Sequence, residues 1–242
     1  NCDKVYVLEE LDPFIEEHCK QIGIDVIGKD AFTLQGEYSQ NLIAKVIFGE
    51  TKPTMKADID IPARPPVLCA GCPHRGLYYA LKKLKLTVSG DIGCYTLGAA
   101  APLSAIDTTV CMGASISGLH GFNKGRKGEY EGKAVAVIGD STFMHSGITS
   151  LVDIAYNRSN STVIVLDNSI TGMTGHQNNP ANGKNIYGDP ASAVNLEALA
   201  HAIGINSVTV VDPGDLAETE RVIKEELAKA EPSLIIARKP CA

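Results

Sequence analysis

The alternation of short apolar runs with helical patterns from residue 67 onward constrains the fold more than any other feature of the sequence. The apolar runs read KLTVSG, TTVCMG, KAVAVIGD, STVIVLDN, SVTVVD and SLIIAR. They lack regular polar alternation, as is typical of parallel strands that are covered on both faces. The pattern predicts a doubly wound, mostly parallel α/β sheet with helices on both faces over residues 67–242.

The first 66 residues follow a different pattern. The segments KVYVLEE and IDVIGKD are consistent with short strands, and LDPFIEEHCKQIG between them is typical of a helix that ends at Gly23. The next segment, TKPTMKADIDIPARPPV, is rich in proline and shows neither a helical nor an alternating apolar period. Such a composition is typical of a linker. We therefore expect residues 1–66 to be the tail of another α/β domain, joined by a Pro-rich linker to the domain over 67–242.

Composition limits the partners that this chain can have. The 242 residues carry a formal net charge of −6, which argues against nucleic-acid binding. No run of 18 apolar residues occurs, so no membrane span is expected. An odd number of cysteines without a signal peptide favours a reducing, cytoplasmic location. The first residue is Asn1 and not Met, which favours a piece of a longer protein.

Two neighbouring strands of the predicted sheet end in oxygen-bearing side chains. Asp140 follows the run KAVAVIG, and Asn168 follows the run STVIVLD. Both belong at the carboxyl edge of the sheet, where ligands bind in such folds. A carboxylate, an amide oxygen and the main-chain carbonyl of Ile170 form the hard oxygen set that Mg²⁺ prefers. Taken singly, each is explained more simply without a metal, Asp140 as the N-cap of the following helix and Asp167-Asn168 as part of a turn.

Residues beside Asp140 suit a phosphate group. Gly139 allows a close approach of the backbone, while Ser141 and Thr142 offer hydroxyl and amide groups near a helix N-terminus. His145 lies at the start of the following helix, and we expect it to bond near such a phosphate group. The polar Gly- and Asn-rich loop after Asn168 exceeds usual connection lengths, which indicates a functional segment.

Four cysteines suggest a metal centre. Cys69 and Cys72 form a close pair, whereas Cys94 and Cys241 are distant singles. A zinc knuckle needs a second close pair, and a thioredoxin-type exchange pair needs no third cysteine. One Cys-x-x-Cys pair with two singles is adequate for a 4Fe–4S cluster.

These motifs together resemble a known family. Gly139-Asp140-Ser141, followed after 25 residues by Asp167-Asn168, resembles the thiamine diphosphate motif, with Ser141 where most members have glycine. The segment TTVCMGASISGLHG resembles that family's Met-Gly strand end. The order of the four cysteines resembles that of the 2-oxoacid:ferredoxin oxidoreductases. Within that family, residues 67–242 are most similar to the enzymes that act on indolepyruvate, through the segments CAGCPHRG, SGDIGCYTLG, GDSTFMHSG and DNSITGMTGHQ.

The resemblance implies a set of cofactors and residue roles. The implied cofactors are thiamine diphosphate, Mg²⁺ and a 4Fe–4S cluster near the thiamine. Met112 would support the bent cofactor, and the Gly113 carbonyl would accept from its aminopyrimidine. His74 and Arg75 are the implied catalytic residues, with Arg75 suited to a substrate carboxylate. The implied cofactor-binding residues are Gly93, Cys94, Tyr95, Met112, Gly113, Ala114, Ser115, Gly139, Asp140, Ser141, Thr142, His145, Asn168, Thr171 and Gly172.

The resemblance also implies a reaction and partners. The expected reaction is oxidative decarboxylation of an aryl 2-oxoacid such as indolepyruvate to an acyl-CoA, with electrons passed to ferredoxin. A pyrimidine-binding domain and a second subunit would complete a hetero-oligomer, so the isolated chain is expected to be inactive. Two alternatives stay open: a non-redox thiamine enzyme of the decarboxylase or acetolactate synthase kind, and a non-catalytic domain that keeps only the fold.

Overall fold

A computed structural model describes residues 2–55 and 58–242. Positions 1, 56 and 57 lie outside the described residues, and the last two belong to the predicted linker. The chain divides into two compact units, over residues 1–63 and 64–242. No helix within the described residues has the length and apolar character needed to cross a membrane.

The first unit contains two short helices, α1 (Phe14–Gln21) and α2 (Gln40–Phe48). Helix α1 is confirmed, but the two expected strands are wrong: they reduce to one parallel bridge between Tyr6 and Ile27. A pair of short strands without further partners is marginal in water, which explains the reduction. Helix α2, which the sequence analysis did not predict, begins after the Ser39 side chain, which accepts from the Leu42 N–H at 3.2 Å.

The second unit alternates strands and helices as the apolar runs predict. Its helices are α3 (His74–Lys83), α4 (Ala114–Gly125), α5 (Asp140–Thr142), α6 (Ile148–Tyr156), α7 (Leu196–Ile203) and α8 (Leu216–Leu227). Its strands are β1 (Thr87–Gly90), β2 (Thr108–Thr109), β3 (Ala134–Gly139), β4 (Thr162–Asp167), β5 (Ser207–Val211) and β6 (Ser233–Arg238). A π-helical turn over Phe143–Gly147 joins α5 to α6, and a 3₁₀ turn over Cys94–Ala99 follows β1.

The six strands form one parallel sheet in the order β2-β1-β3-β4-β6-β5. The predicted parallel α/β fold is therefore confirmed. Every residue of β3 and β4 is buried, as their unbroken apolar sequences predict. The register pairs Gly139 with Leu166, so Asp140 and Asn168 leave adjacent strands at almost the same level.

Helices cover both faces of the sheet and create two apolar clusters. One cluster joins α3 and α8 to the sheet through Leu77, Leu81 and Ile223. The other joins α4, α6 and α7 to the opposite face through Leu119, Leu151 and Leu196. Burial of this many apolar side chains fixes the central strands, and so it holds their carboxyl ends in place.

Candidate functional site

A cavity of about 370 Å³ opens at the carboxyl ends of β1, β3 and β4. Its size lies within the range typical of small-molecule sites. It is lined by His74, Ile92, Gly93, Cys94, Tyr95, Met112, Gly139, Asp140, Ser141, Thr142, His145, Asn168, Ile170, Thr171, Gly172, Met173 and Thr174. The fold therefore brings most of the residues singled out in the sequence into one place.

The Asp140 carboxylate is the most unusual group in this cavity. It is 2% exposed, and within the described part of the chain no lysine, arginine or histidine lies at ion-pair distance from it. Burial raises the pKa of Asp140 to about 6, although hydrogen bonds from Asn179 and the Ser141 N–H oppose the rise. A buried carboxylate is costly unless it is paired or binds a metal. The carboxylate therefore fits a cation that enters through the cavity.

The neighbouring strand end supplies further oxygen atoms. Asn168 is 8% exposed and lines the cavity together with Ile170. The Asn168 main chain is held by Cys241, whose N–H donates to the Asn168 carbonyl at 3.2 Å. A carboxylate, an amide and a main-chain carbonyl at one cavity wall match the oxygen ligands of Mg²⁺. The residues present therefore fit the predicted ion.

The segment after Asp140 presents hydroxyl groups at the start of a helix. Ser141 accepts a bond from the Thr171 hydroxyl at 2.9 Å, and Thr142 is buried beside it. His145 is exposed, and its Nδ1 lies 2.5 Å from the Ser146 hydroxyl. The π-helical turn that contains His145 is a feature frequent at functional sites. Hydroxyls at a helix start are well placed for an anionic group.

The Tyr95 ring fills the space between two glycines. A Cβ atom at Gly93 or at Gly139 would lie 2.5 Å from this ring, so only glycine allows the approach at both positions. The His74 ring packs edge-on against Tyr95, with 6.1 Å between the ring centroids. Burial lowers the pKa of His74 to about 4, so this histidine is neutral near pH 7.

Asp91 organises the turn that leads into α4. It is fully buried and accepts hydrogen bonds from the N–H groups of Gly113 at 2.8 Å, Ser115 at 2.9 Å and Ile92 at 2.8 Å. Gly113 has φ +88°, and a Cβ there would lie 2.4 Å from the Ser146 Cβ. Met112 in the same turn reaches the cavity, whereas Gly113, Ala114 and Ser115 do not line it.

The four cysteines Cys69, Cys72, Cys94 and Cys241 lie near one another. Burial raises the pKa of the Cys94 thiol, and the neighbouring Cys72, Cys241 and Cys69 thiols raise it further. No group of three or more potential ligands within residues 2–55 and 58–242 is arranged to hold a metal ion. Of the four, only Cys94 lines the cavity. A 4Fe–4S cluster on these four thiols therefore stays a prediction.

Arg75 lies away from the cavity. Its Nε donates to the Cys69 carbonyl at 2.8 Å, and a terminal nitrogen donates to the Leu68 carbonyl. The guanidinium therefore holds the main chain of the cysteine-bearing segment. Binding of a substrate carboxylate by Arg75 stays a prediction.

Two residues that shape the site were missed in the sequence. Asp91 follows Gly90 at the end of an apolar strand, the same Gly-Asp pattern that drew attention to Asp140, so a signal was present. Asn179 donates from Nδ2 to Asp140 Oδ2 at 3.1 Å. Asn179 lies inside a polar loop, where no local sequence pattern indicates a contact with Asp140. Ile92, Met173 and Thr174 also line the cavity without having been predicted.

Comparison with known families agrees with this geometry. The family model "Thiamine pyrophosphate enzyme, C-terminal TPP binding domain" matches residues 91–237, which contain nearly the whole cavity. The chain belongs to this family of thiamine pyrophosphate enzymes. The family recognised in the sequence is therefore confirmed.

Curated relatives align with this chain over almost its entire length. "Indolepyruvate oxidoreductase subunit IorA" of Pyrococcus horikoshii is 38% identical over 99% of this chain, and that of Thermococcus kodakarensis is 39% identical over 99%. The corresponding subunit of Methanothermobacter thermautotrophicus is 36% identical over 98%. The chain spans only 42%, 42% and 41% of these three relatives.

Solved structures agree on the fold. A 2-oxoglutarate:ferredoxin oxidoreductase from Magnetococcus marinus superposes with a TM-score of 0.61 at 18% identity, over 74% of this chain and 66% of that one. A putative thiamin diphosphate-dependent enzyme from Mycobacterium smegmatis gives 0.51 at 17%, over 74% and 36%. At such identities these similarities support the fold alone.

Proposed function

We propose that this chain supplies the diphosphate- and Mg²⁺-binding half of a thiamine diphosphate site in a 2-oxoacid:ferredoxin oxidoreductase. The observation that carries the proposal is the buried Asp140 carboxylate, which faces the cavity without a cationic partner in the described chain. Asn168 and Ile170 at the adjacent strand end would complete the protein's share of the Mg²⁺ ligands. Ser141 and Thr142 would bond the diphosphate oxygens.

The chain's own residues would bind and orient the cofactor. When bound, thiamine diphosphate supplies the carbanion chemistry that removal of a 2-oxoacid carboxylate requires. Met112, which lines the cavity, would support it, and Asp91 would hold the Gly113 turn in position. Neutral His74, buried at the cavity wall, would hold or accept a proton at a ring nitrogen beside the reacting group.

A titration tests the binding proposal. Thiamine diphosphate is titrated calorimetrically into the chain with Mg²⁺ and, separately, with a chelator. We expect saturable binding that requires Mg²⁺ and that is lost in Asp140→Asn, because this substitution removes the negative ligand. The matched control is Asp60→Asn, since Asp60 is exposed in the linker segment. Metal-independent binding, or unchanged affinity in Asp140→Asn, would overturn the metal assignment.

We further propose an aryl 2-oxoacid such as indolepyruvate as the substrate, with coenzyme A as acyl acceptor and ferredoxin as electron acceptor. Support comes from the names of the relatives, which match nearly all of this chain. A pyrimidine-binding domain and a second subunit would complete a cytoplasmic hetero-oligomer. Residues 1–66 would be the end of the domain that precedes the thiamine site.

Activity measurements test the substrate and the need for partners. The chain by itself should produce no acyl-CoA from indolepyruvate, because the resemblance assigns the carboxylate that activates the pyrimidine ring to a separate pyrimidine-binding domain. The full-length protein assembled with its second subunit should reduce ferredoxin in the presence of indolepyruvate and coenzyme A. Turnover by the chain alone would contradict the assumed division of the site, and a preference for an aliphatic 2-oxoacid would contradict the substrate.

A 4Fe–4S cluster on Cys69, Cys72, Cys94 and Cys241 is retained as a proposal that requires these segments to move together. The Gly71 and Ala242 segments are already adjacent, since a Cβ on Gly71 would lie 3.8 Å from the Ala242 Cβ. Anaerobic reconstitution should give about four irons per chain. Cys94→Ser should abolish uptake, and the exposed Cys111→Ser should not. Equal iron content in both variants would refute this ligand set.

A further inference from the structure

Asn179 is the buried residue of an otherwise exposed polar segment. Its side chain is 5% exposed, whereas the flanking Asn178 and Pro180 are exposed. Its Nδ2 donates to Asp140 Oδ2 at 3.1 Å, and its Oδ1 accepts from the Ala181 N–H at 2.9 Å. The side chain therefore connects the loop after β4 with the carboxylate at the end of β3.

The second bond fixes the direction of the amide. Because the Ala181 N–H requires the carbonyl oxygen of Asn179, the NH₂ group must face Asp140. The other oxygen of Asp140, Oδ1, accepts from the Ser141 N–H at 2.7 Å. Each carboxylate oxygen thus receives one directed donor, and together these two bonds set the rotation of the carboxylate in the cavity.

The same loop is attached to the end of β3 a second time. The Thr171 hydroxyl donates to the Ser141 hydroxyl at 2.9 Å, and Thr171 and Gln177 form a bridge with N···O distances of 3.0 and 3.2 Å. The segment 171–179 is therefore attached at both ends to the pair Asp140 and Ser141. Any change in the orientation of Asp140 acts on this segment, and the reverse also holds.

We propose that Asn179 is a positioning residue that orients the Asp140 carboxylate for Mg²⁺ and couples occupancy of the metal site to the order of segment 171–179. The proposal rests on the function proposed above. Mg²⁺ requires near-octahedral geometry at short distances, whereas Ca²⁺ tolerates irregular geometry. A residue that only stabilises the loop would affect both cations alike, but a residue that orients the ligand matters more for Mg²⁺.

Metal selectivity provides the test. Apparent Mg²⁺ and Ca²⁺ affinities are measured at saturating thiamine diphosphate for the wild type, Asn179→Ala and Asn182→Ala. Asn182 is the matched control because its Oδ1 likewise accepts a local bond, from the Lys184 N–H, without contacting Asp140. We expect Asn179→Ala to lose about tenfold in Mg²⁺ affinity and much less in Ca²⁺ affinity, and Asn182→Ala to change neither. Equal losses for both cations in Asn179→Ala, or none, would overturn the proposal.

A measurement on the wild type covers the case in which Asn179→Ala does not fold. Amide hydrogen exchange is followed at Ala181 and at Lys184, the two N–H groups held by Asn179 and Asn182. Addition of Mg²⁺ and thiamine diphosphate should slow exchange at Ala181 more than at Lys184. Equal slowing at both amides would refute the coupling alone, whereas a wild type that binds no Mg²⁺ with thiamine diphosphate would overturn the proposed function as well.

Discussion

At the residue scale, the site depends on polar groups that are buried before any ligand arrives. Asp140 is buried and held by one side-chain and one main-chain donor, and Asp91 is held by three main-chain donors. The two carboxylates have different roles because their surroundings differ. Asp91 accepts three main-chain N–H groups and shapes the backbone, while Asp140 lines the cavity and is the proposed ligand of Mg²⁺.

The pKa of Asp140 predicts how stability depends on pH. Its pKa in the folded chain is about 6, above the ordinary value of 3.8, so ionisation disfavours the folded state without metal. The stability contributed by the protonated form is present below pH 4 and is lost as pH rises to about 6, a change of about 3 kcal/mol. Asp140→Asn does not titrate there. Its free energy of unfolding relative to wild type should rise over this range in metal-free urea titrations, and a pH-independent difference would contradict the assignment.

The Gly113 turn gives a prediction with an internal control. Gly113→Ala should destabilise the chain by at least about 2 kcal/mol, because φ is +88° and the new Cβ would overlap Ser146. Gly121→Ala, within α4, places its Cβ in open space and should stabilise by ~0.5–1 kcal/mol. Thermal unfolding followed by circular dichroism measures both. Equal effects of the two substitutions would show that the turn is not constrained as described.

At the element scale, the sequence predicted strands better than it predicted the contacts between loops. The apolar runs correctly predicted β3 and β4, because strands that are buried over their whole length have unbroken apolar sequences. The run TTVCMG gave only the two-residue strand β2, since Val110 and Met112 are exposed and lack a partner on the outer side. The Asn179 contact joins positions 39 residues apart, so no local pattern could reveal it.

Asp91 connects the end of β1 with the start of α4, and its replacement should weaken that connection. Asp91→Asn brings an amide NH₂ against main-chain N–H groups and should cost about 3 kcal/mol of unfolding free energy. Asp107→Asn is the control, because Asp107 is exposed and accepts one N–H, that of Val88. Its cost should stay below about 1 kcal/mol. Urea unfolding of both variants measures these costs. If Asp91→Asn loses no more unfolding free energy than Asp107→Asn, Asp91 does not hold the turn between β1 and α4.

At the scale of the whole molecule, the parallel sheet and its two apolar clusters lie within residues 64–242. The fold class and most cavity residues could be predicted because parallel topology collects successive strand ends at one edge. The cysteine arrangement could not be predicted from spacing, because metal ligation requires convergence in space, and no group of three or more potential ligands in the described residues is arranged to hold an ion. The orientation of the Arg75 side chain could not be predicted from the sequence either, since it depends on a hydrogen bond to the main-chain carbonyl of Cys69.

The unit over residues 64–242 should fold by itself. Produced alone, it should unfold cooperatively in urea, because it holds both apolar clusters and all six strands. It should also keep the Mg²⁺-dependent binding of thiamine diphosphate. A broad, non-cooperative transition of this piece would show that residues 1–63 are needed for the sheet to form.

The most direct test of the account is a crystal structure of the chain with thiamine diphosphate and Mn²⁺, which replaces Mg²⁺ and scatters anomalously. We predict one anomalous peak in the cavity, about 2.1–2.2 Å from side-chain oxygens of Asp140 and Asn168, with the Ile170 carbonyl as the third protein ligand and the diphosphate against Ser141 and Thr142. Bound thiamine diphosphate with no metal peak beside Asp140, or a peak elsewhere in the chain, would contradict the central claim.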